Sequence, residues 1–187
     1  MFVRKKKKPK VKKSINRRKN IFKEIFCVNG KFEFIGLLKN IMMPVIGSLI
    51  VGFVTKNSMS IYDVLKKSIL TPPNLVFWIV WIALYILMGI AAYRIYMNNK
   101  QGKNDHGGYF NYLVQLLISF LWAIIFFNLR LYGISFILIC ILLLLIVITT
   151  VKFFKDDKIA GALMIPYILW VVFATYLSLY IWIFNEM

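Results

Sequence analysis

The residues of this chain that could build a ligand site are aromatic. Phe77, Trp81 and Tyr85 recur at i, i+4 and i+8, so their rings form one stripe along a helix. Aromatic rings in membrane helices commonly pack or form interface belts, and large rings can also line an apolar cavity. All acidic residues lie outside the apolar runs, so the sequence offers no general acid–base pair and no nucleophile with an oriented partner. The chemistry indicated is therefore stacking and apolar contact.

The aromatic stripe lies in a stretch, residues 71–93, that can cross a membrane. Pro73 suits the first turn of a helix, where its missing N–H costs nothing. The uncharged run that follows is long enough, at 1.5 Å per residue, to span a hydrocarbon layer of about 30 Å. Gly89 and Ala92 continue near the stripe, where a neighbouring helix backbone can come close.

Composition places the chain among helical membrane proteins. Hydrophobic residues make up 60% of its 187 residues, and the mean hydropathy is +0.73, far above the usual values for soluble proteins. The predicted fold class is an all-α integral membrane protein, a five-transmembrane-helix bundle. The predicted spans cover residues 35–55, 74–97, 109–128, 134–153 and 159–184.

The first span is imperfect, and the fourth carries no polar stripe. The first contains Pro44 and has the length of a signal-peptide core, but no A-x-A-like site follows, so we interpret it as a retained helix. The fourth is nearly all aliphatic, so we expect it to face lipid or to pack passively. Ser48 with Gly52, and Ser119 with Ala123, fit the small-xxx-small pattern. That pattern is compatible with a homodimer and equally with packing inside one bundle.

Most of the net charge of +17 lies in an N-terminal tail. We divide the chain into a basic, largely disordered or amphipathic tail, residues 1–34, and a transmembrane domain, residues 35–187. Residues 20–28 suit a short amphipathic helix on the membrane surface. We favour a tail that fixes topology and binds anionic membrane lipids. A nucleic-acid arm would lack an aromatic stacking platform, so no nucleic-acid partner is expected, and a mitochondrial presequence would favour Arg and Ser over Lys.

The distribution of Lys and Arg among the connections predicts the orientation. With the N-terminus inside, the inner segments hold the tail, Arg94 and most other basic residues, whereas the outer segments hold Lys56, Lys66, Lys67 and Arg130. The positive-inside rule then places the N-terminus in the cytoplasm, and we place the protein in a bacterial inner membrane. The longest connection between spans, residues 56–73, lies on the opposite side, and its length suggests a lid.

The sequence indicates no metal site and no obligatory cofactor. Cys27 and Cys140 have no CxxC partner. The single histidine, His106, lies in a Gly-rich connection, and the apolar runs hold no carboxylate pair. We therefore predict neither a catalytic residue nor a metal ligand.

Three segments carry a pattern of aromatic and small residues in a fixed order. The first reads Tyr62-x2-Leu65-x-Lys67, then Pro72-Pro73-x3-Phe77-x3-Trp81-x2-Leu84-Tyr85-x2-Met88-Gly89-x-Ala91. The second has Gln115-Leu116, then Trp122 and Phe126-Phe127. The third reads Ile165-Pro166-Tyr167-x2-Trp170-Val171-x-Phe173-Ala174-x2-Leu177, then Ile181-Trp182 and Asn185. Over roughly residues 57–185 the chain resembles the TspO/translocator protein family, also called the peripheral benzodiazepine receptor or MBR family.

The resemblance implies a five-helix bundle that binds porphyrins such as haem and protoporphyrin, and in animals cholesterol and synthetic ligands. The pocket in that family lies between the helices, under the loop that joins the first two. Carried over by position, with the second- and third-span faces added, the ligand-binding residues would be Tyr62, Pro72, Phe77, Trp81, Tyr85, Ser119, Trp122, Phe126, Trp170, Ala174 and Leu177. If the family is a guide, Trp81 and Trp170 face the same pocket, where each aromatic contact with a flat tetrapyrrole is worth about 0.5–1.5 kcal/mol beyond area burial. No His, Cys or carboxylate is placed to ligate haem iron, so metal-free porphyrin should bind as well as haem.

The chain departs from the family pattern at several positions. Ile61 and Ser68 stand where the family often has Trp and Pro, and Ser119 and Ser178 stand where Asn is common. The two serines lack the amide group of Asn, which could orient a ligand. No Lys or Arg follows Tyr180, which argues against a sterol-recognition motif.

Three functional hypotheses remain open from the sequence. The first is a membrane protein that binds a tetrapyrrole and acts as a sensor, carrier or regulator. The second is slow photo-oxidative porphyrin degradation, for which only Trp and Tyr could carry radical chemistry. The third is a structural or partner-binding membrane subunit whose basic tail is the working part. A channel is disfavoured because no continuous polar stripe crosses the bundle.

Overall fold

The structure, a computed structural model, describes residues 21–102 and 107–187. Predictions about residues 1–20 and about the connection that holds His106 lie outside the described residues, and the division of the chain at residue 34 stays a prediction. The helices are α1 (Ile21–Phe26), α2 (Phe34–Thr55), α3 (Met59–Val64), α4 (Asn74–Lys100), α5 (Gly108–Ile124), α6 (Tyr132–Asp156) and α7 (Lys158–Asn185). A 3-10 turn, Lys56–Ser58, joins α2 to α3, and a π-helical turn, Ile125–Leu129, extends α5.

Within these described ranges, five helices are long and apolar enough to cross a membrane. They are Phe34–Ser58, Asn74–Lys100, Gly108–Leu129, Tyr132–Asp156 and Lys158–Asn185. Each contains one predicted span, and α2 and α7 continue through Pro44 and Pro166. The predicted all-α, five-helix membrane bundle is confirmed, and the chain is a multi-pass integral membrane protein.

The five long helices close into a ring. Helix α2 packs against α4 and α5, α4 packs against α7, α7 against α6, and α6 against α5. Helices α4 and α5 also touch each other, so α2, α4 and α5 surround a shared interior space. The aliphatic helix α6 buries Ile139, Leu142 and Ile146 between α5 and α7. It therefore packs passively, which is one of the two outcomes that we expected for it.

Helices α2 and α4 meet backbone to backbone at Gly89. A Cβ atom on Gly89 would lie 2.6 Å from the Cα of Ile41 and 2.8 Å from the carbonyl oxygen of Asn40. Only glycine fits there, as the sequence indicated for this position. Gly47 and Gly52 likewise face the rings of Phe120 on α5 and Trp78 on α4. The small residues of α2 are therefore used for packing within the bundle.

A buried ion pair ties the other end of α4 to α7. Arg94 is 5% exposed, and its Nε and Nη2 donate to the two carboxylate oxygens of Asp157 at 2.9 and 2.8 Å. Asp157 Oδ1 also accepts from the backbone N–H groups of Ile159 and Ala160, so it caps the start of α7. From the sequence we counted Arg94 among the basic residues of the connections between spans. The structure places it within α4, paired with the carboxylate of Asp157.

The remaining amino group of Arg94 holds α1 against this end of the bundle. Arg94 Nη1 donates to the carbonyl oxygens of Glu24 and Ile25, at 2.8 and 2.6 Å. After α1, Val28 is only 2% exposed and packs with Tyr93 of α4. The chain between residues 21 and 33 therefore lies across the bundle end that is opposite residues 56–73.

Residues 56–73, which we call the lid, are fastened to the ends of α7 and α4. The side-chain amide of Asn185 accepts from the backbone N–H of Lys66 and donates to its carbonyl, at 2.8 and 3.0 Å. The hydroxyls of Ser68 and Tyr176 lie 3.0 Å apart. These bonds hold the middle of the lid over the end of α7.

The start of α4 is joined to the lid through a carboxylate. Asp63 Oδ1 accepts from the Asn74 side chain at 3.0 Å and from Lys67 Nζ at 3.3 Å. These hydrogen bonds, that from Asn74 first, hold the pKa of Asp63 below its usual value. The ionised carboxylate is therefore the form that fastens the lid.

Because the pKa of Asp63 is lowered in the folded protein, its contribution is present above the unfolded value of about 3.9 and is lost as the pH falls further. We expect amide hydrogen exchange in the lid, corrected for the intrinsic rate, to accelerate below about pH 4. The variant Asp63→Asn should lose this pH dependence. Glu186→Gln, which changes a carboxylate bonded to the Gly133 N–H, should keep it. Equal pH profiles for wild type and Asp63→Asn would contradict this account.

The buried ion pair predicts a large stability effect. Asp157→Asn keeps a good helix cap but leaves the Arg94 charge buried without a counter-ion, which should cost about 3–5 kcal/mol. Glu33→Gln is the matched control, because the Glu33–Lys100 pair is partly exposed and screened by water, so its loss should destabilise the protein far less. The measurement is the free energy of unfolding in detergent. Losses of the same size in the two variants would show that the pair is not the anchor described here.

Candidate functional site

The aromatic stripe of α4 faces the interior of the bundle. Trp81 and Tyr85 are 5% and 6% exposed, and Phe77 is half-buried beside them. The Trp81 ring stacks on Trp122 of α5, with centroids 6.1 Å apart and an interplanar angle of 27°. Tyr85 shares a hydrogen bond with the hydroxyl of Ser119, at 3.2 Å. The two predicted helix faces therefore meet across the interior.

The inward face of α5 matches the predicted spacing. Gln115, Ser119, Trp122 and Phe126 are all buried. The π-helical turn at the end of α5 shifts the register so that Phe127 also points inward and is buried next to Phe126. Their ring centroids lie 4.9 Å apart. The third span thus contributes three buried aromatic rings at its lid-side end and two polar side chains further along the helix.

A narrow cavity of about 40 Å³ lies between α2, α4 and α5. Five predicted ligand-binding residues line it, and these are Phe77, Trp81, Tyr85, Ser119 and Trp122. Such a volume accommodates only a few water molecules, whereas sites for drug-sized ligands occupy about 300–1,000 Å³. A flat ligand of tetrapyrrole size therefore requires the surrounding rings or the lid to move.

Five further residues line this cavity that the sequence did not indicate as ligand-binding. They are Ser48 and Val51 of α2, Trp78 and Ile82 of α4, and Ala123 of α5. A signal existed for α4, because Trp78, Ile82 and Tyr85 are spaced at i, i+4 and i+7 and form a second stripe. No signal existed for α2, whose apolar residues surround the helix on all sides.

The lid lies on a group of buried and half-buried rings that we call the aromatic cluster: Phe77, Trp81, Trp122, Phe126 and Phe127. Tyr62 and Pro72 enclose a small cavity of about 10 Å³ with Phe77, Trp78 and Phe127. The Tyr62 ring is 5.5 Å from that of Phe127, centroid to centroid. Burial, reinforced by the Asp63 charge, raises the pKa of Tyr62 to about 12. Its phenol is therefore neutral at physiological pH and acts as an apolar cover with one hydroxyl.

Three predicted residues of α7 lie beside the cavity without lining it. The Trp170 ring is 5.9 Å from that of Phe77, and Phe77 also contacts Trp81 at 6.1 Å. Ala174 and Leu177 are 3% and 6% exposed within the bundle. Ligand contact by these three residues stays a prediction.

Buried hydrogen-bond donors surround the aromatic cluster. In the described part of the chain, the indole N–H groups of Trp81, Trp122 and Trp170 are buried and meet no protein acceptor. A buried donor without a partner costs free energy in an apolar interior. The cluster can therefore bind acceptor groups on a ligand as well as apolar rings.

The described residues contain no group of three or more His, Cys, Asp or Glu side chains that could hold a metal ion. Cys27 and Cys140 are not bonded to each other. Since His106 lies outside those residues, the absence of a metal site stays an expectation.

Known proteins are similar in sequence to most of this helical bundle. The TspO/MBR family model matches residues 40–183. Protein CrtK of Rhodobacter capsulatus is 34% identical over 66% of this chain and 78% of its own length. The tryptophan-rich sensory protein of Cereibacter sphaeroides is 32% identical over 63% of this chain and 72% of its own. The human translocator protein is 28% identical over 70% of this chain and 78% of its own.

The matched region runs from within α2 almost to the end of α7, so it includes the lid and every helix that lines the cavity. The chain belongs to the TspO/MBR family.

Proposed function

We propose that this protein binds a tetrapyrrole, a porphyrin or haem, in the aromatic cavity between α2, α4 and α5, and acts in the membrane as a sensor, carrier or regulator. The observation that carries the proposal is the stacked Trp81–Trp122 pair, which faces the cavity with Phe77 at its edge. Relatives named as a sensory protein and a translocator protein agree with such a role.

The chemistry of the lining suits a flat, conjugated and largely apolar ligand. Each ring contact is worth about 0.5–1.5 kcal/mol beyond area burial. The indole N–H groups of Trp81 and Trp122 are suitable donors for carboxylate or carbonyl groups on the ligand's rim. Recognition therefore rests on the shape and faces of the macrocycle.

The lining does not fit axial ligation of haem iron. Haem proteins use His, Cys, Met or Tyr as axial ligands, and of these only Tyr85 lines the cavity. Its hydroxyl is already hydrogen-bonded to Ser119. Protoporphyrin without iron should therefore bind as tightly as haem.

Binding of a ligand as large as a tetrapyrrole requires the cavity of about 40 Å³ to open. Displacement of Phe77 or Trp78 would join the 40 Å³ cavity to the smaller one beneath the lid, since both residues line both cavities. Release of the lid from Asn185 and Asp63 would enlarge the space further. Phe77 and Trp78 are therefore the side chains whose displacement enlarges the cavity.

The setting of this function is proposed on sequence grounds. The N-terminus lies in the cytoplasm of a bacterium, in its inner membrane, and the basic tail binds anionic lipid. The lid then faces away from the cytoplasm. A homodimer gains no support from the small residues of α2, because Gly47 and Gly52 contact Phe120 and Trp78 within the same chain.

The double variant Trp81→Phe, Trp122→Phe tests the site. It keeps a ring at each position but removes both indole N–H donors and part of the stacking area, so protoporphyrin should bind about five- to tenfold more weakly. The protein is placed in lipid nanodiscs, and the fluorescence of protoporphyrin itself is titrated, so that lost tryptophans do not affect the signal. Haem, followed by its absorbance, should bind wild type with a Kd within about threefold of protoporphyrin's.

Trp182→Phe is the matched control. Trp182 stacks on Phe136 at 5.5 Å in the contact between α6 and α7, away from the cavity, so the Kd should be unchanged. A wild-type protein that binds no tetrapyrrole, or a double variant that binds as tightly as wild type, would refute the proposal.

A further inference from the structure

A groove of about 390 Å³ runs along the lipid-facing side of the bundle between α2 and α4. Its walls include Leu49, Gly52 and Phe53 of α2 and Trp78 and Ile82 of α4. Leu49 and Phe53 are 60% and 68% exposed, so the groove opens towards the hydrocarbon. Its volume falls in the range of sites that accept small-molecule ligands.

The groove exists because the contact between α2 and α4 is uneven along its length. At Gly89 the two backbones touch, since a Cβ there would lie 2.6 Å from Ile41 Cα. Towards the lid the Trp78 ring lies between the two helices, since a Cβ on Gly52 would lie 3.3 Å from its Cη2 atom. The helix pair is therefore in backbone contact at Gly89, whereas at Gly52 a side chain, the Trp78 indole, lies between the helices.

The groove and the inner cavity have a common wall. Ser48, Trp78 and Ile82 line both spaces. The Trp78 indole contacts the Phe77 ring at 6.5 Å, centroid to centroid, and its side chain is only partly buried. Rotation of this side chain would connect the cavity to the bilayer. Rotamer changes of this kind need no rearrangement of backbone.

The route through the lid is more strongly closed. Opening it breaks the two backbone bonds to Asn185, the Ser68–Tyr176 bond and the Asp63 bonds. Several hydrogen bonds must therefore break together before the lid can open. A ligand already dissolved in the bilayer therefore meets a smaller barrier at the groove than at the lid.

A cationic group stands at the mouth of the groove. Lys56 follows the last residue of α2, and its Nζ lies 4.1 Å above the centroid of the Phe53 ring. Among the described residues, the ion pairs involve other lysines and Arg94. Lys56 is therefore available to a carboxylate that lies at the level of the lipid headgroups.

We propose that the α2–α4 groove is a membrane-side access site for the same ligand class, a flat apolar acid. Lys56 binds the ligand's carboxylate at the interface, the ring system lies in the groove against Phe53 and Trp78, and displacement of the Trp78 indole admits it to the cavity. This inference rests on the proposed function of the cavity.

The test measures rates of ligand transfer. Gly52→Cys is made in a background of Cys27→Ser and Cys140→Ser, and a bulky thiol-reactive label is attached after folding to fill the groove. Protoporphyrin is then supplied from liposomes to the protein in nanodiscs, before and after labelling. Labelling should slow association and dissociation each by about tenfold or more and leave the equilibrium Kd within about threefold, because a blocked route changes the barrier and not the bound state.

Two controls separate the groove from its surroundings. Ile50→Cys, labelled in the same background, adds equal bulk to a lipid-exposed position of α2 outside the groove and should leave both rates unchanged. Asn185→Ala loosens the lid and should leave the association rate unchanged. Lys56→Gln should slow association about threefold, and high salt should reduce that difference.

The outcomes distinguish the access site from the proposed function of the inner cavity. A wild type that binds no protoporphyrin overturns both. Normal binding with unchanged rates after Gly52→Cys labelling overturns the access site and leaves the cavity intact. Faster association in Asn185→Ala with no effect of the label assigns access to the lid instead.

Discussion

The backbone contact between α2 and α4 at Gly89 is the constraint on which the rest of the structure depends. In a bilayer the lipid tails are as apolar as leucine, so close packing and not apolar burial selects helix neighbours. Because a Cβ at Gly89 would lie 2.6 Å from Ile41 Cα, the two helices can touch there and diverge towards the lid. That divergence creates both the inner cavity and the outer groove, with Trp78 between them.

The two ends of the bundle are closed by different kinds of interaction. At one end the charged Arg94–Asp157 pair joins α4, α7 and α1 through buried, charge-assisted hydrogen bonds. At the other end the lid is held mainly by neutral or exposed groups, such as Asn185 and Asp63. Breaking a buried charged pair costs several kcal/mol, whereas each lid bond contributes much less. The bundle is therefore fixed at one end and able to open at the other, where the aromatic cavity lies.

The cavity itself is small because aromatic side chains fill it. The Trp81 ring contacts both Phe77 and Trp122 at centroid distances of 6.1 Å, and Tyr62 covers Phe126 and Phe127 from the lid. Flat rings that stack on each other are also suited to stack on a flat ligand. When the cavity opens, a contact between two side-chain rings is replaced by a contact between a side-chain ring and the ligand, which lowers the net free-energy cost of opening. The same arrangement gives the family's aromatic pattern a physical role.

The sequence by itself determined the five spans, the inward stripe of α4 and the inward face of α5, because span length and helical periodicity are local properties. Only the tertiary structure decided that α2 lines the cavity, that Trp78 separates it from lipid, that Trp170 lies to one side, and which face of α6 is buried. Those features depend on which helices touch, and residues such as Ser48 or Ile139 resemble their lipid-facing neighbours. The pairing of Arg94 with Asp157 could likewise not be predicted, because the two residues are 63 positions apart in the sequence. Only the folded ring of helices brings them together.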